Sequence, residues 1–214
     1  MIIVIDGPAG AGKSTTAKEI ARRTGYDYVD SGAVYRGFTY VFLSLGADQT
    51  RFLETLDDHK LHFEFHVTEA RVFLSDNEIT HSIRTDAVND LVSEVAAMPE
   101  VRSAVQRILR KVSRNSNVIL EGRDLGTVVF PDADYKFFLT ADPAARAKRR
   151  YDERIQTGEQ VSLDVIRSSI ERRDDIDSNR EIAPLKKAED AIELDSTAMT
   201  FEEQVSHIMQ HIYS

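Results

Sequence analysis

The residues whose types and spacing could do chemistry begin at Gly7. Gly7, Gly12, Lys13 and Ser14 satisfy the pattern G-x-x-x-x-G-K-[ST], with an apolar run before it and a helical pattern after it. Glycines let the backbone wrap around a phosphate with its N–H groups turned inward, and the start of a helix adds its positive dipole end. The lysine can reach the outer phosphates of a nucleoside triphosphate, and the serine hydroxyl can bind Mg²⁺. Residues 7–14 are therefore predicted to form a phosphate loop.

The phosphate loop alone does not identify a second substrate. GTPases, motor ATPases and small-molecule kinases all carry such a loop, and a glycine-rich turn without function is the remaining alternative. The guanine-reading pattern N-K-x-D is absent from the sequence, which argues against a GTPase. The strand, the spacing and the helix together favour phosphate binding over a chance turn.

Four further segments place arginines beside carboxylates or small polar residues: 30–36, 121–124, 146–150 and 172–180. Arginine binds phosphate through two parallel hydrogen bonds and stays charged, so an enzyme that brings two anionic substrates together has a use for such segments. Two of these segments have an alternative interpretation without a role in phosphate binding. Segment 146–150 could be a solvated helix face, and segment 172–180 could form surface pairs such as Arg173 with Asp177. Segment 121–124 leaves a buried strand at its carboxyl end, where open α/β sheets bind ligands.

Elements of alternating type must position these segments. Short apolar runs predict strands at residues 2–5, 26–29, 118–120, 135–139 and 191–194. Helices are predicted between them at 14–23, 30–45, 86–97, 101–112, 143–155, 163–177 and 201–212, the last capped by Thr200 with Glu203. This alternation predicts an α/β fold with a parallel sheet covered by helices on both faces. Alternating residues around 61–65 and 72–74, with a turn at 75–77, predict a small inserted antiparallel sheet.

The bulk composition sets limits on function. A chain of 214 residues suits one α/β domain, and its net charge of -9 argues against a broad nucleic-acid surface. The absence of cysteine excludes disulfides, thiolate metal sites and cysteine nucleophiles. No apolar run is long enough to cross a bilayer and the first residues lack signal-peptide features, so we expect a cytoplasmic protein without membrane partners. No apolar interface is evident, and we expect a monomer.

With these segments in view, the sequence resembles the bacterial cytidylate kinases, which belong to the nucleoside monophosphate kinase group of P-loop kinases. The resemblance covers nearly the whole chain. The blocks that carry it are I-D-G-P-A-G-A-G-K-S, D-S-G-A-V-Y-R, I-R-T-D-A-V, S-E-V-A-A-M-P-E-V-R, E-G-R-D-L-G-T-V-V-F-P-D-A-D, R-R-D-D-I-D-S-N-R, A-P-L and D-A-I-E-L-D-S-T. The second and fifth blocks together are far more specific than a phosphate loop.

The resemblance implies transfer of the γ-phosphoryl group of ATP to CMP or dCMP with Mg²⁺, and it implies a set of site residues. ATP would contact Gly7, Pro8, Ala9, Gly10, Ala11, Gly12, Lys13, Ser14 and Thr15, together with Arg149 and Arg150, which match lid arginines. CMP would contact Ser31, Arg36, Ser93, Arg102, Arg123, Asp124, Arg173, Asp177 and Arg180. Within these sets, Lys13, Arg123 and Arg180 would be catalytic, with Arg36, Arg123 and Arg180 on the acceptor phosphate. Ser14 would bind Mg²⁺, directly or through water.

The resemblance also implies an adenylate-kinase-like organisation. A core would span about residues 1–30, 115–145 and 188–214, and a monophosphate-binding region about 31–114 would contain the inserted sheet at about 59–85. A helical lid would occupy about 149–160, and the adenine would lie between a lid arginine and residues 195–197.

Four positions depart from the family pattern. Ile176 and Ser178 stand in a stretch where the family often has further arginine, Ser14 stands where some relatives have glycine after the lysine, and Glu121 replaces an aspartate of some relatives. Two alternatives stay open from the sequence. One is a kinase for another acceptor such as UMP, and the other is a nucleotide-binding protein without turnover.

Overall fold

The computed structural model describes residues 1–156 and 158–213. The sequence predictions of a lid at 149–160 and of a core segment at 188–214 each include one residue outside the described residues, Thr157 and Ser214 respectively. Among the described residues, no helix combines the length and the apolar character needed to cross a bilayer.

Strands and helices alternate along the chain. In chain order they are β1 (Ile2–Asp6), α1 (Lys13–Thr24), β2 (Asp27–Asp30), α2 (Ser31–Ser44), α3 (Gln49–Glu54), β3 (Leu61–Phe65), β4 (Ala70–Leu74), β5 (Asn77–Glu78), α4 (Asp86–Ala97), α5 (Pro99–Val112), β6 (Val118–Gly122), β7 (Tyr135–Thr140), α6 (Pro143–Gln156), α7 (Leu163–Asn179), β8 (Ile192–Asp195) and α8 (Phe201–Ile212). One 3₁₀ turn lies at Ser82–Arg84 and one π-helical turn at Leu125–Val129. The predicted strands and helices are confirmed to within a few residues.

The main sheet is parallel, as predicted, with the strand order β2-β6-β1-β7-β8. Its central strand β1 is buried from Ile3 onward, and β6 is buried throughout, because helices cover both faces. In the register, Asp6 lies opposite Gly122 and Asp30 lies opposite Glu121. The carboxyl ends of three neighbouring strands therefore bring the phosphate loop, the start of α2 and segment 121–124 to one edge of the sheet.

Two apolar clusters hold the helices against the sheet. On one face Ala17 and Ile20 of α1 pack with Val205 and Ile208 of α8. On the other face α2 and α5 contribute Phe38, Val101 and other buried residues to a second cluster. The cap of α8 is the predicted one, since the Thr200 side chain accepts from the backbone of Glu203 and the Glu203 carboxylate accepts from the backbone of Thr200.

The antiparallel sheet β3-β4-β5 confirms the predicted insertion. Phe63 and Val72 pack against Gly37 of α2, where an added methyl group would lie 3.2 Å from the Phe63 ring. The small sheet thus extends the α2 core. None of the described residues of β3, β4 and β5 lines the cleft described below. Arg84, in the 3₁₀ turn that follows the small sheet, does line it.

The sequence analysis missed three short elements. Helix α3 has six residues and one buried side chain, Phe52, so it carries no helical periodicity to detect. The 3₁₀ turn and the π-helical turn are single turns fixed by tertiary contacts. Helix α5 also begins two residues earlier than expected, because Pro99 occupies its first position, where a missing N–H costs nothing.

The π-helical turn is held by Asp6 at the end of β1. Its Oδ1 accepts from the Leu125 N–H at 3.1 Å and its Oδ2 from the Gly126 N–H at 2.7 Å. Burial raises the pKa of Asp6 to about 6, against the lowering effect of these two N–H groups. One buried carboxylate therefore links the strand before the phosphate loop to the turn that follows Arg123 and Asp124.

We predict that Gly7→Ala is strongly destabilising. A methyl group at Gly7 would lie 2.0 Å from the Leu139 carbonyl oxygen, so the phosphate loop would have to separate from β7. Overpacking of this kind costs about 1–3 kcal/mol. The control is Gly25→Ala. Gly25 also has a positive φ, but a methyl group added there would have no neighbouring atom of the described residues within 4 Å. Urea denaturation should show the larger loss of unfolding free energy for Gly7→Ala, and equal losses would contradict the prediction.

A second prediction concerns pH. The pKa of Asp6 is raised to about 6 in the folded chain, so between about pH 4 and 6 the folded state keeps a proton that the unfolded state releases. The contribution of the protonated Asp6 to the free energy of unfolding is therefore lost as the pH rises through this range. Relative to Asp6→Asn, the unfolding free energy of the wild type should fall on the order of 2 kcal/mol over that range. Urea denaturation at several pH values measures it, with exposed Asp58→Asn as control. A pH-independent difference between wild type and Asp6→Asn would refute the assignment.

Candidate active site

One cleft of about 820 Å³ opens at the carboxyl edge of the parallel sheet. The predicted site residues that line it are Ala9, Gly10, Gly12, Lys13, Ser14, Thr15, Ser31, Arg36, Ser93, Arg123, Asp124, Arg149, Arg150, Arg173, Asp177 and Arg180. Four predicted residues, Gly7, Pro8, Ala11 and Arg102, do not line the cleft. Arg102 lies beneath its wall and holds Asp124.

The phosphate loop forms the first side of the cleft. Gly10 and Gly12 have φ of 74° and 92°, a backbone conformation that glycine adopts without strain. Within the described residues the N–H groups of residues 10–14 donate no hydrogen bond. Five donors at the start of α1 are thus available to an anion, as the sequence pattern predicts.

Lys13 lies inside this loop. Its Nζ donates to the Pro8 carbonyl oxygen at 2.7 Å. Burial, followed by the nearby positive charge of Arg123, lowers the pKa of Lys13 to about 7. An anion in the loop would stabilise the charged form of this ammonium group, adding to the effect of Glu121 and Asp6, whose charges already oppose the lowering of its pKa.

Three further arginines line the same cleft as the loop, and we call Arg36, Arg123 and Arg173 the acceptor arginines. Arg36 Nε donates to Asn89 Oδ1 at 3.2 Å, and Arg123 Nε donates to Asp177 Oδ2 at 3.0 Å. Arg173 Nε is buried and has no hydrogen-bond partner among residues 1–156 and 158–213. Burial, Arg36 and Arg123 together lower the pKa of Arg173 to about 9. Such a concentration of partly satisfied positive charge favours an anion.

Asp124 is held between two buried arginines beside the acceptor arginines. Arg102, 1% exposed, donates to Asp124 Oδ2 and to the Ala96 carbonyl oxygen, and Arg180 Nη2 donates to Asp124 Oδ1 at 2.9 Å. Arg180 also donates to the Ala183 carbonyl oxygen at 2.7 Å. Burial raises the pKa of Asp124, although both arginines oppose the shift. The carboxylate is therefore fixed in one orientation.

The surface-pairing interpretation of segment 172–180 is wrong for its example pair, Arg173 with Asp177. Asp177 is buried at 4% exposure and pairs with Arg123 rather than with Arg173. Arg173 and Asp177 lie on the face of α7 that lines the cleft, whereas Arg172 pairs with Glu94 at the surface and Asp175 is exposed.

Ser31 begins α2 at the floor of the cleft. Its hydroxyl donates to the Glu121 carbonyl oxygen at 2.6 Å, and Asp30 caps the helix by accepting from the Ala33 N–H at 2.8 Å. Arg84 donates to the other oxygen of Asp30 at 3.0 Å. Sequence reasoning assigned no role to Arg84 or to Asn89, the partner of Arg36. The I-R-T-D-A-V block that carries the resemblance contains Arg84 and was the available signal.

The side chains of residues 146–150, all on helix α6, differ in their exposure to solvent. Lys148 pairs with Asp152 on the exposed face, which agrees with a solvated helix. Arg146 is 6% exposed, so that interpretation is wrong for this residue. Arg149 donates to the Ser196 hydroxyl at 3.0 Å and to the Ser196 carbonyl oxygen, and Arg150 pairs with Glu153 while lining the cleft. Arg149 therefore contacts residues 195–197, beside which the resemblance implied that the adenine would lie.

Ser14 is the predicted metal ligand, exposed in the first turn of α1 and lining the cleft. Among residues 1–156 and 158–213, no group of three or more histidines or carboxylates could enclose a metal ion. A single hydroxyl beside a phosphate site nevertheless fits Mg²⁺, because that ion is usually bound by one or two protein groups, by substrate phosphates and by water.

Comparison with known proteins agrees with this geometry. The cytidylate kinase family model matches residues 3–214. Cytidylate kinase from Clostridioides difficile (strain 630) is 43% identical over 215 residues, covering 99% of this chain and 98% of the relative. Cytidylate kinase from Geobacillus sp. (strain WCH70) is 44% identical over 211 residues, covering 97% and 94%.

A solved structure shares the fold alone. An uncharacterized protein from Eubacterium ventriosum ATCC 27560 superimposes with a TM-score of 0.54 at 13% identity, covering 100% of this chain and 99% of that one. The family model and the curated relatives, by contrast, match over nearly the whole length at more than 40% identity. The chain belongs to the cytidylate kinase family.

Proposed function

We propose that this chain transfers the γ-phosphoryl group of ATP to CMP or dCMP and releases ADP with CDP or dCDP. The observation that carries the proposal is that two groups suited to bind anions, the phosphate loop and the acceptor arginines, line one cleft. Membership of the cytidylate kinase family supports cytidine as the acceptor nucleoside.

The phosphate loop is the donor half of the proposed site. Its free N–H groups and Lys13 hold the β- and γ-phosphates, with Gly7, Pro8 and Ala11 shaping the loop and Thr15 beside it. Arg149 and Arg150 contact ATP from the lid. Ser14 holds Mg²⁺, directly or through water, and the ion neutralises charge on the phosphates when it is bound.

The acceptor arginines grip the phosphate of CMP, since Arg173 has an unused buried donor and Arg36 and Arg123 lie close to it. The sequence hypothesis placed Arg180 rather than Arg173 on this phosphate. The contacts of Arg180 with Asp124 and Ala183 favour a different role for it, which is to orient the carboxylate of Asp124.

Cytosine is read by Asp124 and by the side chains that line the cleft around it, Ser31, Ser93, Asp177 and Arg180. Arg102 acts indirectly in this part of the proposed site, by holding Asp124. A carboxylate can accept a hydrogen bond from the cytosine amino group. Uracil presents an oxygen at the same position, which would face the carboxylate without a proton between them. The oriented Asp124 therefore supports CMP over UMP.

No general base is needed for this reaction, because a phosphate oxygen of CMP is already a charged nucleophile. That oxygen forms a bond to the γ-phosphorus of ATP while the bond from this phosphorus to the β-phosphate oxygen breaks, and ADP leaves. Lys13, Arg123 and the other acceptor arginines align the reactants and stabilise the transferred charge. Water must be excluded to prevent hydrolysis of ATP, and closure of the lid at about 149–160 would exclude it.

The proposal includes the division into core, monophosphate-binding region and lid. It also includes a role in cytoplasmic pyrimidine nucleotide metabolism, and action as a monomer without nucleic-acid partners. Phosphorylation of UMP and nucleotide binding without turnover remain as alternatives, with no observation that favours either.

We predict that Lys13→Ala abolishes CDP formation and leaves CMP affinity largely intact. The change removes the ammonium group that neutralises the transferred phosphoryl group, whereas the acceptor arginines are untouched. Turnover should fall at least about a hundredfold, the usual cost of one preorganised charge donor. A coupled ADP-release assay and calorimetric CMP titration measure both quantities. The matched control is exposed Lys18→Ala on the same helix, and near-normal turnover in Lys13→Ala would reject the mechanism.

A second prediction concerns the acceptor. CMP and dCMP should give kcat/KM values at least about tenfold above those of UMP, AMP and GMP. Cytosine offers its amino group to Asp124 where uracil has an oxygen, and the larger two-ring purines carry their amino groups at different positions. The ADP-release assay across the five monophosphates tests this, and a reaction without acceptor corrects for ATP hydrolysis. Equal or higher values with UMP or AMP would overturn the choice of CMP, and ATP and CMP binding without any CDP would favour a non-catalytic protein.

A further inference from the structure

Ala9 of the phosphate loop is held through both of its backbone polar groups. Its N–H donates to Asp174 Oδ1 at 3.0 Å, and its carbonyl oxygen accepts from Arg146 Nη1 at 2.9 Å. Arg146 and Asp174 form an ion pair with each other, and Arg146 Nε donates to the Ala141 carbonyl oxygen at 3.0 Å. One peptide segment of the loop is therefore fixed by two side chains from two different helices, α6 and α7.

Apolar packing reinforces this clamp. Ala9, Ala147, Ile166 and Ile170 form a separate buried cluster that joins the loop to α6 and α7. Gly10 approaches α6 so closely that an added methyl group would lie 3.2 Å from Arg146 Cβ. Because Arg146 is buried, its charge depends on Asp174 as the only carboxylate with which it pairs in the described part of the chain.

Asp174 occupies a particular place on α7. Its neighbour Arg173 is an acceptor arginine, and Asp177, three residues on, holds Arg123. Helix α7 thus directs Asp174 to the phosphate loop, and it directs Arg173 and Asp177 to the site of the acceptor arginines, within about one helical turn. Among the hydrogen bonds of the described residues, the Ala9 N–H of the loop is already in use as a donor, while the N–H groups of residues 10–14 are not.

We propose that Asp174, paired with Arg146, is a positioning residue that fixes the phosphate loop against the helix carrying the acceptor contacts. The assignment rests on the proposed function for the identity of the two substrates. Its physical basis is that a misplacement of the donor phosphates by about 1 Å can cost on the order of a hundredfold in rate. Neither Arg146 nor Asp174 is among the described residues that line the cleft.

Two kinds of variant test this role. Asp174→Ala removes the acceptor for the Ala9 N–H and leaves the Arg146 charge buried without its carboxylate. Asp174→Asn keeps an oxygen for the N–H and removes only the charge. Asp175→Asn is the matched control, since Asp175 is exposed on the same helix and accepts a hydrogen bond only from Asn179 among the described residues.

Affinities for ADP and for CMP are measured separately by calorimetry, together with KM and kcat for each substrate and the melting temperature. We expect Asp174→Ala to weaken ADP binding about tenfold or more and to lower kcat/KM for ATP about a hundredfold. CMP affinity should change less than about threefold, as should every value for Asp175→Asn. Asp174→Asn should lie between the wild type and Asp174→Ala.

A double variant guards against failure to fold. Combining Asp174→Asn with Arg146→Met removes the unpaired buried charge, so this protein should bind ADP no more weakly than Asp174→Asn alone. ADP affinity unchanged in Asp174→Ala, equal losses for ADP and CMP, or weaker ADP binding in the double variant than in Asp174→Asn would each overturn the proposal. If the wild type binds ADP but makes no CDP, the proposed function fails while the ADP comparison still decides the role of Asp174.

Discussion

Positive charge held out of water is the constraint on which the rest of this structure depends. Lys13, Arg36 and Arg173 have pKa values lowered by burial, and Arg123 lies beside them in a chain whose net charge is -9. Isolated buried charges are costly, and several like charges in one cleft repel. The cleft remains stable only because carboxylates take up part of this charge, and its remaining charge makes it an anion site.

The parallel sheet provides the frame for that balance. The carboxyl ends of β1, β2 and β6 deliver the phosphate loop, the cap of α2 and segment 121–124 to one edge, where N-termini of helices also favour anions. Asp6 fixes the turn after Asp124, while Asp174 fixes the loop after Asp6. The carboxylates that hold the site together are thus spread over strands and helices distant in sequence.

Most of the fold was predictable because local patterns were strong. β-branched apolar runs marked the strands, and the Thr200 and Glu203 pair marked the start of α8. The predictions were incomplete where local pattern was weak, as in the six-residue α3, or where a tertiary contact decided the conformation, as in the turn held by Asp6. Most of the residues that the resemblance named line the cleft, but many residues that line it, such as Arg84 and Asn89, were not among them.

The sequence by itself determined the phosphate loop, the alternation that requires a parallel sheet, and the family, because each of these depends on residue order and spacing. Only the tertiary structure decided how the charges pair. Arg146 and Lys148 are two residues apart on one helix, yet one is buried against the phosphate loop and the other is solvated. Asp177 pairs with Arg123 from another segment rather than with its helical neighbour Arg173. Burial and the choice of partner depend on which elements pack together, and that information is not contained in any local stretch of chain.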